Sequence, residues 1–334
     1  MQIMKRLGFL AVLIAALVFG STLSFACGDD PIVRDVAGAG GVNLKVFEYG
    51  KADGQPIVLL HGWSQSHKSW VNQYTDKHLT KKFRLIVPDL RGHGESGRAD
   101  LGGYMDGTLW AADLKAIMDS LNLEKPVLVG WSYGGAVILD YLTVYGDGNV
   151  GGINFVDALG QYLGCLNPAD TTVMPAYYQY APPMLPGMGW PDDSQVEAQR
   201  AACRGFIVAC LAPGATDPES PNYNSAITPE AIETAVDYNM QADPFVRLGI
   251  VLRPGTPVTG PWNGSMDYTA TLQAITVPTL VTTGDSDMIL NPETSAWMHS
   301  LIQGSELSVY VGIGHSPFME DASRFNKELR KFAK

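Results

Sequence analysis

The apolar run Pro126-Val127-Leu128-Val129 leads directly into Gly130-Trp131-Ser132-Tyr133-Gly134, and Ala136-Val137-Ile138-Leu139 follows. A buried strand that ends in G-x-S-x-G and turns at once into a helix constrains this chain more than any other feature. The serine must stand at the tip of a turn so sharp that its backbone is strained, and side chains two residues to either side would collide there. Ser132 is thereby the candidate nucleophile. The N–H of Tyr133, opening the next helix, is a candidate donor to a developing oxyanion. Without a catalytic role, the same turn would only cap its helix.

A nucleophilic serine needs a base and an acid. Val277-Pro278-Thr279-Leu280-Val281-Thr282-Thr283 reads as a buried strand followed by Gly284-Asp285-Ser286-Asp287, and Leu307-Ser308-Val309-Tyr310-Val311 reads as another, followed by Gly312-Ile313-Gly314-His315. Ser132, Asp287 and His315 thus occur in the chain order serine, acid, histidine, each just past a strand's carboxyl end. His315 would take the serine proton and return it to the leaving group, while Asp287 orients the imidazole. Asp287 is the preferred acid because a helix start, Leu290-Asn291-Pro292, follows it closely. Asp157, at the end of the strand Gly152–Val156, and Asp285 remain alternatives. Of the other histidines, His67, His78 and His299 read as solvated on helical, polar stretches. His61 and His93 lie in glycine-containing loops and read as backbone-orienting.

Upstream, Ile57-Val58-Leu59-Leu60 reads as a buried strand that ends in His61-Gly62-Trp63-Ser64. Gly62 lets the backbone bend, which leaves the N–H of Trp63 as the second oxyanion donor beside Tyr133.

Taken together, Leu60-His61-Gly62-Trp63, Asp89-Leu90-Arg91-Gly92-His93-Gly94-Glu95-Ser96, Val129 to Gly135, Gly284 to Asp287 and Gly312 to His315 resemble the α/β-hydrolase superfamily. The core is most similar to the branch of cofactor-free haloperoxidase/perhydrolase-type esterases. The resemblance covers about residues 42–157 and 266–334. It implies the fold, a serine triad and a two-amide oxyanion hole at the positions named. It implies no substrate, since one fold hosts many chemistries. Dehalogenase- and epoxide-hydrolase-like relatives carry an aspartate where this chain has Ser132, which favours acyl transfer here. Iminopeptidase-like relatives carry a G-G-x-G type motif in place of His61-Gly62-Trp63-Ser64, which disfavours peptide cleavage.

Short apolar runs alternate with amphipathic stretches, such as Tyr104 to Leu123 with Leu109, Leu114, Ile117, Met118 and Leu121 at helical spacing. This pattern predicts an α/β fold, a mostly parallel doubly wound sheet with an inserted, mainly helical cap. The 46% hydrophobic and 17% charged content of the 334 residues is sufficient for one large core. The expected organisation is a signal peptide at 1–26, core at 27–157, cap at 158–265 and core again at 266–334. The inserted segment is rich in proline, methionine and aromatic residues between Met174 and Trp190, with helical patterns over 193–211 and 229–241. It reads as a lid lining an apolar acyl pocket.

Lys5 and Arg6 precede the apolar run Leu7 to Phe19, and Ser24-Phe25-Ala26 supplies small residues at a cleavage position. This predicts export to the periplasm or medium after cleavage behind Ala26. Cys27 raises lipidation, but Leu23-Ser24-Phe25-Ala26 is a poor lipobox, so no membrane anchoring is expected after cleavage. Removing Lys5 and Arg6 moves the net charge from −11 to −13. With no basic patch evident, nucleic acid is not an expected partner. Cys203 and Cys210 lie seven residues and thus ~10 Å apart on one helix, beyond the ~7 Å that a disulfide allows. Cys165 with either of them is the expected bridge, with free thiols as the alternative. No cysteine or histidine spacing suggests a metal, and no cofactor is expected. The leading reading is a serine hydrolase of a small-molecule carboxylic ester or lactone. The alternatives are perhydrolase/haloperoxidase-type activity and a ligand-binding homologue with little turnover.

Overall fold

In the computed structural model, which describes residues 30–160, 196–253 and 268–334, the apolar runs become strands of one sheet. Among the described residues there are eight: β1 (Ile32–Ala37), β2 (Asn43–Gly50), β3 (Gln55–Leu60), β4 (Phe83–Pro88), β5 (Val127–Trp131), β6 (Gly152–Val156), β7 (Thr279–Gly284) and β8 (Glu306–Tyr310). Their spatial order is β1-β2-β4-β3-β5-β6-β7-β8. The β1–β2 and β2–β4 pairs are antiparallel and the other five are parallel. The α/β architecture, with a mostly parallel sheet, is the one expected; β1, β2 and β4 were not singled out by the sequence patterns.

The central strands β3, β5, β6 and β7 are buried on both faces, which explains their largely apolar runs, whereas β1 and β8 at the sheet edges are mostly exposed. Ile57 and Leu59 of β3, with Val127, Val129 and Trp131 of β5, pack on one face with Trp70, Phe318, Phe325 and Leu329. Val58, Leu60 and Leu128 pack on the other face with Leu114, Ile117, Val137 and Tyr141. Each fully buried aliphatic side chain contributes about 2 kcal/mol. The helices needed below are α1 (Gly107–Ser120), α2 (Tyr133–Tyr145), α3 (Val196–Ala209), α4 (Pro229–Met240), α5 (Pro244–Leu252), α6 (Pro292–Leu301) and α7 (Ala322–Phe332). Between β6 and β7 the described chain contains α3 and α4, where helical patterns were read, with α5 and a short helix Thr269–Gln273 in addition and a turn-rich stretch over 210–228.

Four expectations need correction. The helix read from Tyr104 to Leu123 is split, because Asp106 takes an extended conformation (ψ 109°) and its carboxylate accepts the Thr108 N–H at 2.8 Å. His67 is not solvated: it is 5% exposed, stacks on Phe47 at 3.6 Å and donates from Nδ1 to Asp89. A basic patch does exist, where Arg324, Lys327, Arg330 and Lys331 of α7 line a surface depression with His78 and Lys82. Helical spacing and distant chain segments hide that cluster from a linear reading. Cys203 and Cys210 are free, buried thiols rather than half-cystines. Cys165, Cys27, the leader at 1–26 and the aromatic stretch from Met174 to Trp190 lie outside the described residues.

Candidate active site

Parallel strands in register bring several loops to one edge of the sheet. Leu60 of β3 pairs with Gly130 of β5, Trp131 with Val156 of β6, Val156 with Thr282 of β7, and Gly284 with Tyr310 of β8. The ladder continues past the strand ends: Ser132 N–H donates to Val156 O, Asp157 N–H to Thr282 O, and Asp285 N–H to Tyr310 O. Residues as far apart in sequence as Leu60 and Tyr310 are thereby held along one edge.

Ser132 sits between β5 and α2 at φ 53°, ψ −118°, a left-handed conformation that costs a non-glycine residue of order 1–3 kcal/mol. The flanking glycines are required. A Cβ on Gly130 would lie 2.7 Å from the Gly134 backbone, and one on Gly134 would lie 2.5 Å from Leu60 O. The turn after β3 packs against the same elbow, since a Cβ on Gly62 would meet Ser132 Cβ at 3.1 Å. The turn that carries Trp63 thus approaches Ser132 from β3, and Tyr133 follows Ser132 as the first residue of α2.

His315 and Asp287 are brought together. The imidazole Nδ1–H donates to Asp287 Oδ2 at 2.7 Å, and both side chains are essentially buried. Asp287 Oδ1 accepts the N–H groups of Ile289 and Leu290 at 2.7 and 3.0 Å, which sets the carboxylate plane. Asn291 then caps α6. The Trp131 indole N–H holds His315 O at 2.7 Å. These bonds leave His315 Nε2 buried and without a partner among the described residues. Asp285 is exposed and receives the Gly312 N–H, so it braces the loop and does not meet the histidine. Asp157 is 1% exposed and brings a carboxylate oxygen within 4.8 Å of both Asp287 and His315. Asp287 Oδ2 is bonded to the imidazole, so the three side chains form one compact buried cluster.

Two histidines act on backbone, as expected. His61 Nε2 accepts the Leu90 N–H at 3.0 Å while Nδ1–H donates to Gly62 O. His93 Nε2 accepts the Ser64 N–H at 3.1 Å while Nδ1–H donates to Arg91 O. Each needs a neutral ring, and burial lowers His61 to about 4 and His93 well below its ordinary value. Asp89 completes the scaffold by accepting the N–H groups of His67 and Glu95.

The sequence reading did not single out Glu320. Its two carboxylate oxygens accept the N–H groups of Gly314, beside His315, and Ala212, just past α3. Burial pushes it up to about 7 despite those donors. Nothing in linear spacing marks it, because its partners come from two remote loops. The helices between β6 and β7 also reach Trp63 and Ser64: Phe206 meets the Trp63 ring edge-on, Trp63 Nε1–H donates to Arg247 O, and Ser64 is bonded to Asn239 and Arg247.

The family model "Alpha/beta hydrolase family" matches residues 57–328. The chain belongs to the α/β-hydrolase family. Within this family it resembles the AB hydrolase superfamily protein YisY of Bacillus subtilis, at 29% identity over 84% of this chain and 92% of that protein. It is equally similar, at 29%, to a non-heme chloroperoxidase of Burkholderia pyrrocinia, over 87% of this chain and 96% of the relative. Among solved structures, esterase RhEst1 from Rhodococcus sp. ECU1013 superposes with a TM-score of 0.73 at 29% identity, covering 90% of this chain and 98% of that one. The chain is an α/β hydrolase of the haloperoxidase/esterase type.

Proposed function

We propose that this α/β hydrolase is an exported serine hydrolase that cleaves small or medium carboxylic esters or lactones through an acyl-enzyme on Ser132. One observation carries the reading: the strained Ser132 stands among loops that include a buried histidine whose Nδ1 is held by a carboxylate and whose Nε2 has no partner among the described residues. In this mechanism His315 Nε2 takes the Ser132 Oγ proton as the oxygen attacks the acyl carbon. The carbonyl becomes an oxyanion that the Trp63 and Tyr133 N–H groups stabilise. Each such donor lowers the barrier by about 3 kcal/mol. Asp287 stabilises the imidazolium, which then protonates the departing alcohol. Water, deprotonated by His315, releases the acid and restores Ser132.

The haloperoxidase names among the relatives favour a second outcome at the same intermediate. Hydrogen peroxide in place of water would release a peracid. The helices inserted between β6 and β7 form the acyl-pocket lid in this reading, and the leader before residue 27 directs export.

The test is hydrolysis of p-nitrophenyl esters of increasing acyl length by the wild type and Ser132→Ala. The expected result is a maximum at short to medium chains and a loss of at least about 10³-fold in the variant. Wild-type silence towards esters together with no labelling by a serine-reactive phosphonate would sink the proposal and favour a ligand-binding role.

A further inference from the structure

The buried acid Asp157 has no place in a three-residue triad, yet it lies against it. It follows β6, immediately beside β7, with φ 38° in the left-handed region that a non-glycine residue adopts only when its surroundings impose it. Its N–H is tied to Thr282 O at 2.8 Å. Its Oδ1 accepts both the Thr283 hydroxyl, at 2.7 Å, and the Gly284 N–H, at 3.1 Å. Among the described residues, Oδ2 is fully buried and accepts from no donor.

Like charges this close in a water-excluded site cannot both ionise cheaply, so one carboxyl must keep a proton. Asp287 has two backbone donors and the imidazole to stabilise its negative charge. Asp157 has one hydroxyl and one amide, both on Oδ1. Burial, then the nearby Asp287 charge, hold Asp157 well above the usual carboxylate range. A proton on Oδ2 also removes its unsatisfied state, because a carboxylic O–H can donate where a bare carboxylate cannot.

We propose that Asp157 is a neutral positioning acid whose Oδ2–H donates a hydrogen bond to the Asp287 carboxylate, bracing it against His315. The pair then carries one negative charge, and its distribution sets how strongly the imidazolium is stabilised. This rests on the hydrolase reading of Ser132, Asp287 and His315. Among the described residues, the other ionisable groups facing the pair are Cys210, from the segment after α3, and Glu320, from the short helix Pro317–Glu320. Neither is altered in the variants below, so their titration is common to all the profiles.

Asp157→Asn replaces the proposed O–H donor with an amide N–H and keeps an oxygen for Thr283 and Gly284. It should retain kcat/KM within about threefold and leave the acid limb of the pH profile in place. Asp157→Ala removes the donor, concentrates charge on Asp287 and should raise the acid limb by about one pH unit, roughly a tenfold loss of activity on that limb. Should Asp157→Ala fail to fold, Asp157→Asn alone decides. A downward shift of its acid limb by a unit or more means that Asp157 was ionised, which overturns the proposal.

A second readout needs no turnover. The infrared difference spectrum between wild type and Asp157→Asn at pH 8 should contain the carbonyl band of a buried protonated carboxylic acid. Absence of that band overturns the proposal even if the enzyme is fully active. Its presence in a protein inactive towards esters supports the neutral acid while rejecting the substrate assignment.

Discussion

Gly134→Ala tests the link between fold and chemistry at one methyl group. Gly134 is the second residue of α2, where the helix start tucks under the end of β3. The added Cβ would lie 2.5 Å from Leu60 O and 2.9 Å from His61 O, both backbone atoms that cannot rotate away. Relief to an ordinary carbon–oxygen separation of about 3.4 Å requires α2 and the β3 end to part by roughly 0.9 Å. Ser132 and the Tyr133 N–H ride on the α2 side, and the Trp63 N–H rides on the β3 side. Overpacking of this kind costs about 1–3 kcal/mol, and rigid backbone on the far side places the expected loss at about 3. Separating the two oxyanion donors by nearly an ångström should lower kcat/KM by about 10²-fold. Urea unfolding monitored by fluorescence gives the first quantity, and p-nitrophenyl ester kinetics gives the second. Gly205→Ala is the control: it is an exposed position in α3 with nothing near its added Cβ, so helix propensity should raise stability by about 1 kcal/mol. A Gly134→Ala protein with the wild-type urea midpoint and wild-type kcat/KM would refute the packing argument.

Acid should destabilise the fold through His61, which must stay neutral inside. Its pKa is lowered from 6.5 to about 4 by burial, so its contribution is complete above pH 6.5 and is lost as pH falls towards 4. By pH 5 the loss is about 2 kcal/mol. His61→Gln, which keeps an acceptor for the Leu90 N–H, should lose that much less stability between pH 7.5 and 5, and an unchanged pH dependence would reject the assignment. Arg253 donates to Asp140 at 2.6 Å and to the Tyr133 hydroxyl at 2.8 Å in a fully buried cluster. Arg253→Met should therefore cost about 3–5 kcal/mol, and adding Asp140→Asn should recover part of it. Glu320→Gln leaves one acceptor for the two N–H groups of Ala212 and Gly314. Stability should fall by about 1–3 kcal/mol, with faster proteolysis near Ala212; equal protease sensitivity would show that Glu320 does not hold the inserted helices to the histidine loop.

The strands that carry the site were legible in the sequence, because each is a short run dominated by apolar and β-branched residues and bounded by glycine. Val127–Val129, Gly152–Val156 and the runs before Asp287 and His315 all became neighbouring parallel strands. The elbow was legible for the same local reason: Gly130 and Gly134 are demanded within five residues of Ser132. The helix start Leu290-Asn291-Pro292 pointed to Asp287, over the alternatives Asp157 and Asp285 that fit the same chain order, as the carboxylate that meets the imidazole. What linear reading could not decide depends on groups that meet only across strands and loops. His67 was assigned to solvent because its local neighbours are polar, whereas Phe47 and Asp89 enclose it from other strands. The basic face of α7 emerges only when helical turns bring its lysines and arginines together beside His78 and Lys82. Glu320 gains its role by bridging two remote backbone segments. Asp157 was legible as an acid at a strand end, but not as a third carboxyl beside the pair, since only the registry of β6, β7 and β8 sets that distance. Periodicity and turn chemistry are properties of adjacent residues, whereas burial and the proton carried by a shared carboxyl are properties of the packed site.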